Sequence, residues 1–378
     1  MLKEETVSSN AFSLARPIRS VEDCSLRASI SCVNRTTLLA VIISSIFFSI
    51  PAFAKRKEMD WPQPTPQEFI PFRFQKAKAL LREMKTDEAI EVLNEVQGQK
   101  PGHLGAALEL AGAYMTKKMR RKALEILMAQ VRQQRGEARA TVLRRIDITS
   151  RMFFTGETFD AYQSGKKALT QAQFAESTSF LEQALESEPD NAEAMIRNIQ
   201  ALVYKKQYEA ALEQIEKLKK INPFLGEPAL WEGRSLYRVG RVNLALRQLA
   251  RANRALSGSE LAPVWFSDAL LAAGNRKKAR DVLESDVKKN PLHLKSLVAL
   301  ARLEFPEDGK HQESLWKSRK ALQLALSRFD QYAEMRKTDL SYFESDLGLS
   351  LETPEDIKTQ IGKLLGEIET RLKDSEQS

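Results

Sequence analysis

Two kinds of residue recur in this chain at a fixed interval of 34 positions. Ala211, Ala245 and Ala279 are 34 apart, and so are Ala89 and Ala123. Pro189 and Pro223 are 34 apart, and Pro291 follows after twice that interval. The ladders share one phase, because Ala89 to Pro101, Ala211 to Pro223 and Ala279 to Pro291 each span 12 positions. A repeat of this length marks a stacked array of small supersecondary units. Each alanine lies in a run with apolar residues at helical spacing, such as Leu212, Ile215 and Leu218. Proline cannot continue a helix and so ends it. A small side chain is needed where two helices cross closely, and overpacking such a point costs roughly 1–3 kcal/mol. One unit cannot bury its own apolar face. The array is therefore quasi-one-dimensional, each unit covering the next.

In their details these units resemble the tetratricopeptide repeat family, a pair of antiparallel helices with small residues at positions 8, 20 and 27 and proline at 32. In the unit that starts at Ala192, Tyr208 stands at aromatic position 17, Ala211 at 20 and Pro223 at 32. The next starts at Gly226, with Gly233 at position 8, Ala245 at 20 and Ala252 at 27. Another starts at Glu260 and contains Ala279 and Pro291. Upstream, Phe174, Ala184 and Pro189 fit a unit starting near Thr158, and two more start near Ile70 and Leu104. A weaker unit from Leu294, with Ala301 at position 8, loses register at residues 305–309. The resemblance implies an all-α, right-handed superhelical solenoid of helix-turn-helix repeats.

The chain divides accordingly. Residues 70–137 hold units 1–2, and residues 158–325 hold units 3–6 plus the degenerate one. Residues 138–157 fall outside the frame but carry Val142, Leu143, Ile146, Met152 and Phe153 at near-helical spacing, which predicts an extra helix or half-repeat. Residues 326–378 are expected to cap the array. One helix is expected from Phe329 to Phe343. A second is opened by Thr353-Pro354-Glu355-Asp356 and carries Ile357, Ile361, Leu364, Leu365, Ile368 and Leu372.

The first 54 residues read as an N-terminal extension and signal peptide. Residues 38–50 are apolar apart from serines and end in Ala52-Phe53-Ala54, a small-x-small cleavage pattern. The run is shorter than the roughly 20 residues of a spanning helix. Cleavage is expected after Ala54, which makes the protein periplasmic or otherwise exported. Residues 1–32 are long for a signal n-region, and a start at Val33 is an alternative to Met1. The rival reading is an inner-membrane signal anchor, because Lys55-Arg56-Lys57 places more positive charge after the apolar run than before it. Membrane contact is then confined to the uncleaved segment. Residues 55–69 form a proline-rich linker around Pro62, Pro64 and Pro66. Cys24 and Cys32 are the only cysteines, so export removes both and with them any disulfide or thiolate chemistry.

No phosphate loop, HExxH or nucleophile elbow occurs, which argues against an enzyme, a cofactor or a small-molecule substrate. His103 and His293 each follow a proline by two positions and are expected to be exposed turn residues; His311 lies in the broken unit. The whole chain carries 58 basic and 50 acidic residues, a net +8. Without residues 1–54 this becomes +7, which permits an acidic partner. The basic turns 117–122 and 275–278 lack interleaved aromatics and read as solvated turns, so nucleic acid is not expected.

The family resemblance implies a concave wall built from the first helix of each unit. At position 5 it places Tyr162, Ile196, Leu230 and Val264, with Val298 beyond, as an apolar floor. At position 9 it places Lys166, Gln200, Arg234, Asp268 and Arg302, and at positions 12 and 13 Val203, Tyr204, Tyr237 and Arg238. Such a groove suits a protein or peptide partner with acidic character. The chain therefore reads as a non-enzymatic interaction scaffold of the cell envelope, or as an anchored assembly subunit.

The register has a direct test. Ala245→Leu is expected to lower the melting temperature by several degrees in a thermal circular dichroism scan. An unchanged transition would remove Ala245 from a helix crossing.

Overall fold

The computed structural model describes residues 69–305, 312–338 and 353–377. The signal segment, its cleavage site, both cysteines, most of the proline-rich linker, the residue 306–311 break and His311 lie outside these residues, as does the end of the helix expected to reach Phe343. Within them are seventeen helices and no strand. Pairs run α1 (Phe69–Arg82) with α2 (Thr86–Gln99), and α3 (Leu104–Thr116) with α4 (Arg120–Gln133). A single helix, α5 (Gly136–Arg151), follows. Pairing resumes with α6 (Gly156–Thr170) and α7 (Phe174–Ser187), α8 (Ala192–Tyr204) and α9 (Tyr208–Ile221), and α10 (Glu227–Arg238) and α11 (Val242–Ala255). The last pairs are α12 (Leu261–Ala272) with α13 (Arg276–Lys289) and α14 (Leu294–Glu304) with α15 (Gln312–Ser327), followed by α16 (Phe329–Thr338) and α17 (Pro354–Gln377).

Six of the pairs turn in the same way. Met84, Lys118, Ala172, Lys206, Gly240 and Gly274 have positive φ, all at the end of a first helix. The following residue reaches back to the carbonyl five positions earlier, as in Gln207 N–H to Leu202 O (2.9 Å) and Arg241 N–H to Leu236 O (2.8 Å). This is a Schellman closure, which satisfies carbonyls that the helix end leaves open. Only two of the six positions are glycine, so four non-glycine residues are held left-handed by the turn. The spacing is 34 except between Lys118 and Ala172, where it is 54. The additional 20 positions accommodate α5.

Close crossings hold the pairs together. A Cβ built on Gly233 would lie 2.5 Å from Leu249 Cγ, and one on Gly165 would lie 2.6 Å from Leu181 Cγ. Ser177 Oγ donates to Gly165 O (2.9 Å), and Ser318 Oγ donates to Ala301 O (2.8 Å). The ladder alanines Ala89, Ala123, Ala184, Ala211, Ala245 and Ala279 are all fully buried. The largest core runs through α8 to α12 around Ile199, Ile215, Trp231 and Leu249.

The helix α5 packs against α4 and α8. Ile221, at the end of α9, joins the apolar cluster of α4 and α5. The basic turn 117–122 is not wholly solvated, contrary to the expectation from sequence, because Arg120 within it is 1% exposed. Its guanidinium bonds Glu188 (2.5 Å), Asp190 and the Met152 carbonyl, and it lies 4.4 Å from the Phe154 ring centroid. Asn222 Nδ2 donates to Ser150 Oγ (3.0 Å) at the end of α5. The inserted helix thus displaces the regular neighbour and draws Arg120 inward. His293 also departs from expectation: it is 3% exposed because Asp286 holds its Nδ1 at 3.0 Å. His103 is half-buried, and its Nδ1 accepts from Ala106 N–H at the start of α3.

At the far end α17 packs on α15 and α14. Thr353 and Asp356 form a reciprocal capping box, Thr353 N–H donating to Asp356 Oδ2 (2.8 Å) and Asp356 N–H to Thr353 Oγ1 (3.1 Å). Ile357, Ile361, Ile368 and Leu372 are buried. Among the described residues, no helix is long and apolar enough to cross a membrane.

Arg120→Ala would leave Glu188 buried without its counter-ion. The expected loss is about 3–5 kcal/mol, read as a lower midpoint in urea denaturation.

Candidate functional site

The first helices α6, α8, α10, α12 and α14 line up along one wall of the array. The residues that the family pattern assigns to an apolar floor lie mostly beneath its surface. Ile196 is 1% exposed, Leu230 0% and Val298 4%; only Val264 is half-buried. Ile196 and Leu230 belong to the main core because neighbouring units pack there. Tyr162 is also buried, and its hydroxyl donates to Glu193 Oε1 (3.0 Å). Burial, together with the negative charge of Glu193, pushes the Tyr162 hydroxyl well above its ordinary value. Gln200 is fully buried too, its Oε1 accepting from Arg197 (3.3 Å). These buried residues support the wall from within.

What reaches solvent is a guanidinium surface centred on α10, resting on a row of rings in which Trp231 and Trp265 are themselves buried. Arg234 is half-buried, with its guanidinium 4.9 Å from the Trp265 ring centroid and 5.8 Å from that of Tyr237. Its Nη1 lies 3.7 Å from Asp268 Oδ2. Arg238 is exposed and donates through Nε to the Tyr208 hydroxyl (3.1 Å), so Tyr208 supports the surface of the next unit. Trp265 meets Trp231 edge-on at 5.3 Å, Trp231 meets Tyr204 at 6.1 Å, and Tyr204 stacks on Phe174 at 5.5 Å. The sequence pattern does not single out Trp231 or Trp265. Both stand at position 6 of their units, 34 apart, and that shared interval is the signal that could have found them.

Charge is imperfectly balanced here. Burial pushes the Asp268 carboxyl above its ordinary value, with Arg234 and Arg302 only partly offsetting this. Burial likewise lowers Arg234, against the pull of Asp268. Lys166 is half-buried at one end of the wall. At the other, Arg302 is exposed and donates to Gln360 Oε1 (3.0 Å) of the capping helix α17.

A second polar cluster fixes where α5 meets the wall. Arg151 bonds Asp147 (2.8 Å), Glu193 (2.6 Å) and Glu227 (2.6 Å), and Arg197 bonds Glu193 (3.0 Å). Burial disfavours the charged Glu193, but Arg197 and Arg151 outweigh it and bring its carboxyl down to about 2. This cluster ties α5 to the starts of α8 and α10. Among the described residues, no group of His, Cys, Asp and Glu could hold a metal ion.

Residues 80–146 and 168–232 match the family model described as Tetratricopeptide repeat. A thermophilic TPR protein from Thermus thermophilus is similar in structure, at 16% identity and a TM-score of 0.40, over 55% of this chain and 98% of that one. MamA (41-end) from Desulfovibrio magneticus RS-1 is similar at 18% identity and a TM-score of 0.40, over 47% of this chain and 99% of that one. No curated protein sequence matches the chain.

Glu193 makes stability depend on acidity. Its folded pKa lies below the ordinary carboxylate value, so its stabilisation is present above about pH 4.5 and lost as the pH falls towards 2. The difference in unfolding free energy between the native chain and Glu193→Gln is expected to shrink by on the order of 2–3 kcal/mol from pH 6 to pH 2. Denaturant titrations at both pH values check it.

Proposed function

We propose that this chain, a tetratricopeptide repeat protein, is a non-enzymatic scaffold that holds a peptide or protein partner of acidic character against the wall around α10. The Arg234 and Arg238 surface carries this reading. Two guanidiniums stand on aromatic rings along this wall, and Asp268 is the acidic group paired with Arg234 there. Arginine and aromatic residues together are favoured in protein interfaces, because they combine contact area with directional donors. A partner carboxylate would accept from Arg238 and compete with Asp268 for Arg234. Tyr204, Tyr237 and Val264 would supply apolar contact. The stacked helices are ordered before binding, so little ordering cost falls on this side of the complex.

We place this activity in the cell envelope, with residues 1–54 removed on export. The support is the apolar run 38–50 followed by Ala52-Phe53-Ala54. Cell fractionation with N-terminal sequencing tests it: a mature start at Lys55 in the periplasmic fraction is expected, and an intact segment 38–54 in the inner membrane would favour the anchored assembly subunit.

Arg234→Glu combined with Arg238→Glu is expected to abolish co-purification of the principal partner while leaving the helical circular dichroism signal intact. Undiminished co-purification would remove the wall from the binding site.

A further inference from the structure

The insertion of α5 creates a second surface, away from the wall just described. Because α5 stands alone, the second helix of one unit, α4, comes to face α9 rather than the helix one repeat along. Two recesses lie at this junction, and a third adjoins them along α7 and α9. The first, about 460 Å³, has Leu124, Met128, Met195 and Ile221 inside and Arg121, Glu125, Lys217 and Lys220 around it. The second, about 540 Å³, shares Met128 and adds Val131 and Phe224 under Arg132, Arg135 and Arg139. The third, about 340 Å³, shares Met195 with the first and is bordered by Leu185, Asn198, Glu182 and Glu186.

Their chemistry is continuous but polarised. The floor is aliphatic and includes two methionines, whose flexible thioethers adapt to varied side chains. The rim has an excess of cations over α4 and the start of α5, where Glu125 is the one acid, and is acidic over α7. Arg132, Arg139 and Lys220 are exposed and form no ion pair with any described residue. Phe224 is 44% exposed beside them. In the third recess Asn198 is 2% exposed, and its Oδ1 has no hydrogen-bond partner among the described residues.

We propose that this junction groove binds an acidic, aliphatic peptide segment of another protein, with its acidic residues over α4 and α5. Charge complementarity selects the acidic partner, and the aliphatic floor selects its apolar residues. A flat bilayer cannot enter recesses of this kind. Single-stranded nucleic acid would need stacking rings, and Phe224 is the one aromatic lining the three recesses among the described residues. The site is separate from the α10 wall and does not depend on it.

The probe is a display library of random 16-residue peptides panned on the full chain. Enriched peptides are then synthesised and titrated by fluorescence anisotropy. Sequences combining Leu, Ile, Met or Phe with an excess of Asp and Glu are expected. Their affinity should fall at least tenfold on Arg132→Glu with Arg135→Glu and Arg139→Glu, three exposed positions that leave the core intact. It should stay within about twofold on Arg234→Glu with Arg238→Glu. Each of the following would overturn the proposal: enriched peptides without acidic excess, binding lost only in the Arg234 and Arg238 variant, or binding of phosphatidylglycerol vesicles in preference to the peptides. Light scattering that shows self-association abolished by the triple variant would make a second copy the occupant, and would overturn it equally.

Discussion

The close approach of two helices at a small side chain is the interaction on which the array depends. At Gly233 and Gly165 there is no room for a methyl group against Leu249 and Leu181. At Ser177 and Ser318 the same proximity lets a hydroxyl bond the facing carbonyl. Once a pair is held this tightly, its outer apolar residues have only the next pair to cover them, and the stack propagates. The left-handed turn residue is the second part of the constraint, because it reverses the chain within a few residues and satisfies the open carbonyls of the first helix. Met84, Lys118, Ala172 and Lys206 accept that conformation without being glycine. Packing on both sides outweighs the local preference.

The 20-residue insertion shows what happens when the stack is interrupted. The helix α5 has no partner of its own, so its polar end is neutralised by residues from later units: Arg151 by Glu193 and Glu227, and Ser150 by Asn222. Arg120, at the start of α4, is buried against Glu188 and Asp190. These contacts join residues some 40 to 76 positions apart. The low polarity of the junction strengthens them and makes them costly to break on one side only. The two recesses beside α4 lie at this displaced junction.

Much of the fold is legible in the sequence because it is periodic. The Ala and Pro ladders locate the crossings and the helix ends, and the mismatch over residues 138–157 locates the insertion. The candidate wall is less legible. The family pattern assigns position 5 to its floor, yet Ile196 and Leu230 are consumed by packing between neighbouring units. Position 6 goes unmarked, although Trp231 and Trp265 there carry the aromatic row on which Arg234 rests. A periodic sequence marks equivalent positions but does not say how far each side chain extends past its neighbours. His293 and Arg120 look exposed in the sequence for the same reason. Their burial depends on Asp286 and on Glu188 and Asp190, which no local pattern connects to them.

The sequence by itself determined the helical repeat, its length, its phase and the place where it breaks, because these follow from side-chain size and backbone restriction within each 34-residue unit. Only the tertiary structure decided which side chains reach the surface and which groups share a charge. Those outcomes depend on distances between units. Where α5 displaces the stack, these distances are set by packing across the junction and not by any interval along the chain.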